Sequence, residues 1–433
     1  MSIEDNWLVR RISDLIVENR LRGGSGSSAK KITVKLYGNG VVPSRSAGGS
    51  DNTLYFRRRS GQFIFSKLDF LNGAFGIIPP NLDGYESTAD LPAFDFKEGV
   101  DQNWFLATVS RPAFYTRYKG FAIGSRKANR VPTGEFLASK ISVPPYAEQL
   151  AIAEVLQSVE DAIARKRELI GTLGETKKAV MRELLTKGTR LDNAVLKPLP
   201  ERWVLGRIAE GVDQIPNDWK LVRLTTVAKL ESGHTPNRDK PEYWGGTIPW
   251  LSLGDTDALD QLTIEDTLEQ VTEKGIKNSS ARVLPVDTVI FSRTATVGKA
   301  CRLAVEMATS QDFANWVCGS DLDPRYLVQV FRHMKREWDR LQAGSTHQTI
   351  YMPTFKRLQI LLPPKAEQEK IADTGEAFDR RIEAEKQSLA ELQNTRAALA
   401  QELLSGRLRL PASMVARFEN ASPSGKTSVA VTA

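Results

Sequence analysis

The sequence predicts an α+β fold: two tandem globular domains, each followed by a long helix, with the two helices pairing as an antiparallel coiled coil. Three observations predict it. A segment beginning at Ile141 recurs at Ile360, an offset of 219 residues. Each copy places a proline pair ahead of a long proline-free run, and each run carries an apolar stripe in heptad rhythm. At 433 residues, 41% of them hydrophobic, the chain is longer than one core usually organises and rich enough in apolar residues to fold.

The repeat fixes the helices first. ISVPPYAEQ at 141–149 returns as ILLPPKAEQ at 360–368, and the register holds through ELL at 183–185 and 402–404. A proline pair cannot lie inside a helix, so a strand or turn ends there and a helix begins at Ala-Glu-Gln. In the first copy Leu156, Val159, Ile163, Lys166, Ile170, Leu173, Lys177, Val180 and Leu184 alternate in steps of three and four. The matching positions of the second are Gly375, Phe378, Ile382, Glu385, Leu389, Leu392, Arg396, Leu399 and Leu403. The simplest partner for each stripe is the other; the alternative is that each helix packs on its own domain. Antiparallel pairing follows from the chain path, since the second domain starts soon after the first helix ends. About 35 helical residues at about 1.5 Å each make a spacer of roughly 50 Å. Lys177 is expected near Glu385.

The globular segments carry a fainter repeat. WLVRRI at 7–12 resembles WKLVRL at 219–224, and Gly124-Ser125 resembles Gly344-Ser345. In the second domain TIPWL at 247–251 and VDTVIFS at 286–292 read as strands. Asp323 and Pro324 open a helix whose inner face holds Leu327, Val330, Phe331, Met334, Trp338 and Leu341. The first domain has the same outline in TLYF at 53–56, GQFIF at 61–65 and an Asp101-led helix through Trp104 and Phe105. The domain plan is 1–140, helix 141–187, connector 188–214 with a short helix near Trp203, 215–359, helix 360–406, and a disordered tail 407–433. Gly-Ser-rich 23–28 is expected to be a flexible loop.

Charge narrows the function. The net charge is +7, and residues 1–140 hold 20 Lys+Arg against 13 Asp+Glu, so the whole excess lies there. Such a field favours a polyanion, although many basic surfaces are merely solvated. The sequence has no run long and apolar enough to span a membrane and no secretory leader, which reads as cytoplasmic. Cys301, Cys318, His234, His333 and His347 stand at no zinc-ligand spacing, so no metal is expected.

Catalytic motifs fail on inspection. VPPY at 143–146 is one residue from the Asn/Asp-Pro-Pro-Tyr loop of amino-methyltransferases, but Val143 cannot accept the hydrogen bonds of a target amine, and the repeat copy reads LPPK. SGKT at 424–427 matches the end of a phosphate loop, but Asn420 stands where the first glycine is required. No nucleophile arrangement or nuclease carboxylate cluster is evident.

Recognition chemistry remains. In the first domain Arg57, Arg58, Arg59, Lys67, Arg126, Lys127, Asn129 and Arg130 combine phosphate-seeking charge with groups able to read base edges. In the second, the candidates are Thr235, Asn237 and Arg238; Arg293, Thr294 and Thr296; and Ser345, Thr346 and Gln348, all on polar, glycine-flanked loops. Ordinary solvated loops look the same.

The two PPxAEQ helix starts, the unequal domains, YWGGTIPW at 243–250, TATVG at 294–298 and ATSQ at 308–311 together make the chain resemble the DNA-specificity subunit of type I restriction-modification systems. The likeness covers nearly the whole chain, with GQFIFSK at 61–67 and GAFG at 73–76 carrying most of it in the first domain. It implies two target-recognition domains reading the halves of a bipartite, non-palindromic site in double-stranded DNA, with no catalysis of its own. It implies as partners two methylation subunits that bind S-adenosylmethionine and two restriction motor-nuclease subunits that use ATP and Mg2+. The rivals are a methyltransferase in this chain and an adaptor without base contact.

Overall fold

The computed structural model describes residues 7–26, 28–44, 52–123, 130–189, 195–199, 212–342 and 348–422. The chain forms two compact units, 1–165 with 389–433, and 166–388. The division falls inside both long helices, Tyr146–Lys187 and Lys365–Leu404. Each unit therefore holds one globular domain, the first part of the helix that follows it and the last part of the other helix.

In the first unit the domain is closed by pairing its first strand with its last. Leu8–Arg11 runs antiparallel to Lys140–Val143, with Leu8 opposite Val143. Val143 is buried and the helix starts three residues later, so VPPY is a helix start. The Pro145 carbonyl accepts the N–H groups of Glu148 and Gln149 there. A four-stranded antiparallel sheet, ordered Ile16–Asn19, Ala93–Phe96, Phe63–Phe65, Phe75–Ile77, carries the core. The expected strand at 53–56 is instead Phe56–Arg57. The core is aromatic: Phe63 alone meets Phe65, Phe75, Phe94, Phe105 and Phe136 at centroid distances of 5.2 to 6.3 Å. Asp101 caps the helix Gln102–Val109 by accepting from the N–H groups of Asn103 and Trp104.

The second unit repeats the closure, with Lys220–Arg223 antiparallel to Gln359–Leu362. Its main sheet is five-stranded, ordered Ala228–Ser232, Phe313–Cys318, Val289–Ser292, Ala300–Leu303, Thr263–Ile264. A second sheet sets Trp244–Leu251 between Glu269–Val271 and Ala308–Thr309. The Asp323-led helix runs Pro324–His333, breaks at Met334 and resumes as Lys335–Leu341. The six residues assigned to its inner face are buried or packed on the core, beside Trp219 and Trp316.

The Ala-Glu-Gln triplet has the same task in both units. Gln149 accepts from the Asp101 N–H and donates to the Gly99 and Pro144 carbonyls, and Gln368 does the same with the Asp323 N–H and the Asp321 and Pro363 carbonyls. The preceding glutamates accept from indoles, Glu148 from Trp7 and Glu367 from Trp219. Just past each long helix stands a glycine with positive φ, Gly188 at 80° facing Trp219 and Gly406 at 75° facing Trp7.

Along the helices every one of the thirteen apolar seam residues is buried or half-buried, from Leu156, Ile163 and Leu403 in the first unit to Ile170, Val180, Phe378 and Ile382 in the second. In both units the two helices run antiparallel: Ile152 and Leu156 share a core with Ala400 and Leu403, and Met181 and Leu185 share one with Ile371 and Ala372. The expected register is corrected. Lys166, not Lys177, reaches Glu385, at 2.6 Å, and Lys177 reaches Asp379 at 2.6 Å. Lys166 and Glu385 are the same position of the repeat, 219 residues apart. Burial pushes the Lys177 pKa down, and Asp379 pulls it back.

One further expectation changes, and two other segments are seen in part. The tail folds back through residue 422: Arg409 makes two hydrogen bonds to Glu148, Arg417 does so with Glu154, and Ala412–Val415 is helical. Gly24 in the Gly-Ser segment donates its N–H to Glu86. In the connector, Leu196–Pro198 pairs with Gln214–Pro216; Trp203 and the SGKT stretch lie outside the described residues.

Candidate nucleic-acid interface

The first unit carries two groups of the predicted cations. Arg57 and Arg59 are exposed, on the short strand Phe56–Arg57 and just after it. Between them Arg58 is 1% exposed, which removes it from the contact surface. Its guanidinium donates to Ser87 Oγ at 2.7 Å, the Asn19 carbonyl at 2.7 Å and the Leu91 carbonyl at 3.1 Å. These neutral acceptors leave its pKa pushed down to about 10 by burial. Arg58 pins the 87–91 segment, and the second cation group is built on that segment. Lys67, half-buried, donates its N–H to the Asp90 carbonyl and accepts from Val131, while exposed Arg130 makes two 3.2 Å contacts to the Asp90 carboxylate. Arg126, Lys127 and Asn129 lie outside the described residues.

In the second unit the predicted loops converge. Gly233 lies against the 309–310 backbone so closely that a Cβ would stand 2.1 Å from the Ser310 carbonyl oxygen, so the position admits only glycine. His234 then donates its N–H to Thr309, which sets the half-buried Thr235 beside Gln311; its hydroxyl donates to Gln311 Oε1 at 2.7 Å. Asn237 uses its Oδ1 to accept from the Asp239 N–H. Arg238 is held twice: two hydrogen bonds to Glu269, 2.5 and 2.9 Å, and a face contact on Trp244 with the guanidinium carbon 3.9 Å from the ring centre. Its hydrogen bond to Glu269 raises the Arg238 pKa and lowers that of Glu269.

Arg293 is half-buried and works as a bracket. Its N–H donates to the Asp312 carbonyl, its carbonyl accepts from Ile350, and its guanidinium donates to the carbonyls of Gln311 at 2.9 Å and Ile350 at 3.3 Å. Burial lowers its pKa, and Asp312 opposes the shift. Thr294 shares a hydrogen bond with Thr349 at 3.1 Å, and Ala295, with φ at 60°, forms the strained tip and donates to the Gln348 carbonyl. Thr296 is half-buried like Thr294, and its hydroxyl meets that of the fully buried Ser292 at 3.0 Å. Gln348 is exposed; Ser345 and Thr346 lie outside the described residues.

The loops at 233–238, 293–296 and 348–350 thus meet around 309–312, a segment the sequence marked by resemblance and not as a site. Gln311 is the residue missed. Its signal was position: an exposed amide directly ahead of the strand Phe313–Cys318, whose first four residues are buried. Cys301 and Cys318 are free, and burial pushes both thiols up to about 12, so neither is a thiolate at neutral pH. Among the described residues no cluster of His, Cys, Asp and Glu is placed to hold a metal, and no helix is long and apolar enough to cross a membrane.

Residues 216–394 match the family model of the type I restriction modification DNA specificity domain, a span that holds every one of the converging loops. The chain is 29% identical over 187 residues to the type I restriction enzyme MjaIX specificity subunit of Methanocaldococcus jannaschii, covering 43% of each. It is 22% identical over 281 residues to the MjaVIII specificity subunit of the same organism, covering 63% of this chain and 62% of that one. It is 18% identical over 358 residues to the HindI specificity subunit of Haemophilus influenzae, covering 71% and 78%. The chain therefore spans less than two thirds of the length of the two archaeal relatives. Among solved structures, a chain from work on complex assembly and conformational transition of the type I R-M system superposes with a TM-score of 0.56 at 17% identity, covering 94% of this chain and all of that one. The type I restriction-modification S subunit of M. genitalium gives 0.52 at 13% identity, covering 93% and 98%. At these identities the two structures establish a shared fold. With the domain match and the curated relatives beside that fold, residues 216–394 carry the type I restriction modification DNA specificity domain, and the chain is similar to type I restriction-modification specificity subunits.

Proposed function

We propose that this chain is the non-catalytic, sequence-reading subunit of a type I restriction-modification complex. Each globular domain reads one half of a bipartite, non-palindromic site in double-stranded DNA, and the two long helices set the gap between the halves. The observation that carries the reading is the convergence of three polar loops on 309–312, inside the segment that matches the DNA specificity domain. Phosphate contacts from groups such as Arg57, Arg59 and Lys67 supply affinity, and base-edge contacts supply sequence. Helices of 42 and 40 residues are about 60 Å long, which corresponds to between one and two turns of duplex.

Two methylation subunits, carrying S-adenosylmethionine, and two restriction subunits, using ATP and Mg2+, are the partners this role requires. The complex works in the cytoplasm, where the DNA is. Footprinting the complex reconstituted with its methylation subunits tests the reading: two protected patches separated by an open gap are expected, and an unprotected duplex overturns it in favour of an adaptor. Exchanging residues 1–140 for another such domain should change one half-site in a methylation map. Adding seven residues to both helices should lengthen the gap. Methylation of DNA by this chain without partners would overturn the non-catalytic assignment.

A further inference from the structure

We propose that Gln311 is a specificity-determining residue of the second domain, its amide held by Thr235 so that Nε2 is the hydrogen-bond donor offered to a base edge. The inference rests on the DNA-reading role above and assigns one contact within it.

Four features support it. First, Gln311 is exposed, yet both of its neighbours are fixed: Ser310 donates its N–H to the Leu251 carbonyl, and the Asp312 carbonyl accepts from Arg293. Second, the Gln311 carbonyl accepts from Arg293 Nε at 2.9 Å, so the backbone beneath the amide is held by a half-buried guanidinium. Third, Gln311 Oε1 accepts from Thr235 Oγ1 at 2.7 Å, and among the described residues no acceptor meets Nε2. Fourth, Thr235 stands there because Gly233 lets its loop press on Ser310, so a backbone constraint sets the partner that orients the amide.

A surface glutamine ordinarily samples many rotamers, and binding must freeze them. Here that ordering is present before the DNA arrives, which favours affinity and a single hydrogen-bond polarity. The polarity names the ligand. Reading adenine with both ends of an amide requires Oε1 to take a second hydrogen bond, from N6, on the lone pair that Thr235 leaves and at a geometry Thr235 has fixed, whereas a guanine edge asks nothing of Oε1. The remaining Nε2 donor matches an edge made of acceptors, guanine O6 and N7 in the major groove. Arg293 and Thr235 are positioning residues for this contact.

The test is selection of binding sites from randomised duplexes by the complex reconstituted with its methylation subunits. Gln311→Ala should lose the preference for guanine at one position of one half-site, by about tenfold to a hundredfold, and leave the other positions alone. Gln311→Glu reverses the polarity and should move that preference to cytosine, whose N4 donates. Thr235→Val should weaken the same preference and Thr235→Ser should restore it, which a purely structural threonine would not do. Thermal unfolding of each variant, expected to match the parent, separates these outcomes from misfolding. Unchanged preference in Gln311→Ala and Gln311→Glu overturns the assignment, as does uniform weakening at every position. If the parent complex selects no sequence at all, the DNA-reading role itself fails; if it does and only these variants are silent, Gln311 alone is wrong.

Discussion

The two units share one frame and differ in what they hold on it. In both, a first strand pairs with a last strand, a glutamine ties the helix start to the N-cap of a domain helix, and a glutamate accepts from an indole. The cores differ. The first unit is filled by phenylalanines around Phe63, the second by tryptophans and aliphatic residues around Phe291, Phe331 and Trp338. The candidate surfaces differ too. In the first unit exposed cations lie on and beside the segment pinned by Arg58, whereas in the second, neutral amides and hydroxyls are bracketed by Arg293 and the exposed Arg238 is paired with Glu269. Joints that fix the chain path are repeated, and the candidate surfaces are not. Two homologous modules on one frame can therefore present unlike surfaces.

The largest effect that tests this contrast lies in the cores. Phe63→Ala removes a ring that meets five others and should cost about 4 kcal/mol, as should Trp338→Ala in the second unit, whose indole also donates to the Phe331 carbonyl. Hydrogen exchange should show lost protection in the mutated domain and little change in the other. Equal loss in both domains would break the claim that each core stands by itself.

A sharper comparison uses one repeat position in two settings. Asp379 and Glu160 are counterparts, 219 residues apart, and each faces a cation that is also a counterpart, Lys177 and Arg396. Asp379 is mostly buried and accepts from Lys177, Gln329 and Arg332 together. Glu160 faces Arg396 at 2.6 Å with about 40% of each side chain in solvent. Asp379→Ala strands two cations and should cost about 3 kcal/mol, and Glu160→Ala should cost less than about 1 kcal/mol. Equal losses in thermal unfolding would show that burial does not decide the worth of this pair.

These contrasts mark how far the sequence could be read. The helices were legible because proline pairs and heptad spacing act locally: all thirteen apolar seam positions are shielded, and VPPY starts a helix. Register was not legible. Which charge meets which depends on where two helices lie along each other, and the expected partner of Lys177 was wrong by six residues, nearly two helical turns, Asp379 in place of Glu385. The candidate site was legible as a set of loops and not as a geometry. Arg57 and Arg58 look alike in sequence, yet one is exposed and the other is pinned beneath 87–91, because strand alternation sends neighbours to opposite faces. Gln311 escaped because its meaning depends on Thr235, 76 residues away.

The smallest effect concerns acid. Glu385 is the one seam carboxylate that meets its own repeat counterpart, Lys166, and the hydrogen bond from Lys166 holds its pKa below the ordinary 4.5, with the charges of Arg381 and Lys166 adding to it. A carboxyl whose folded value is below its unfolded value stabilises fully above the unfolded value. That stabilisation is lost as pH falls through the folded one. The helix pair should therefore lose Tm below about pH 4.5, and Glu385→Gln, which has no proton to take up, should flatten that part of the curve. The difference between parent and variant should be a degree or two in calorimetry across about pH 3 to 5. Lys166→Met should shrink the acid response as well, since it removes the group that depresses the carboxyl. Parallel curves for parent and Glu385→Gln would mean that acid acts elsewhere in the fold.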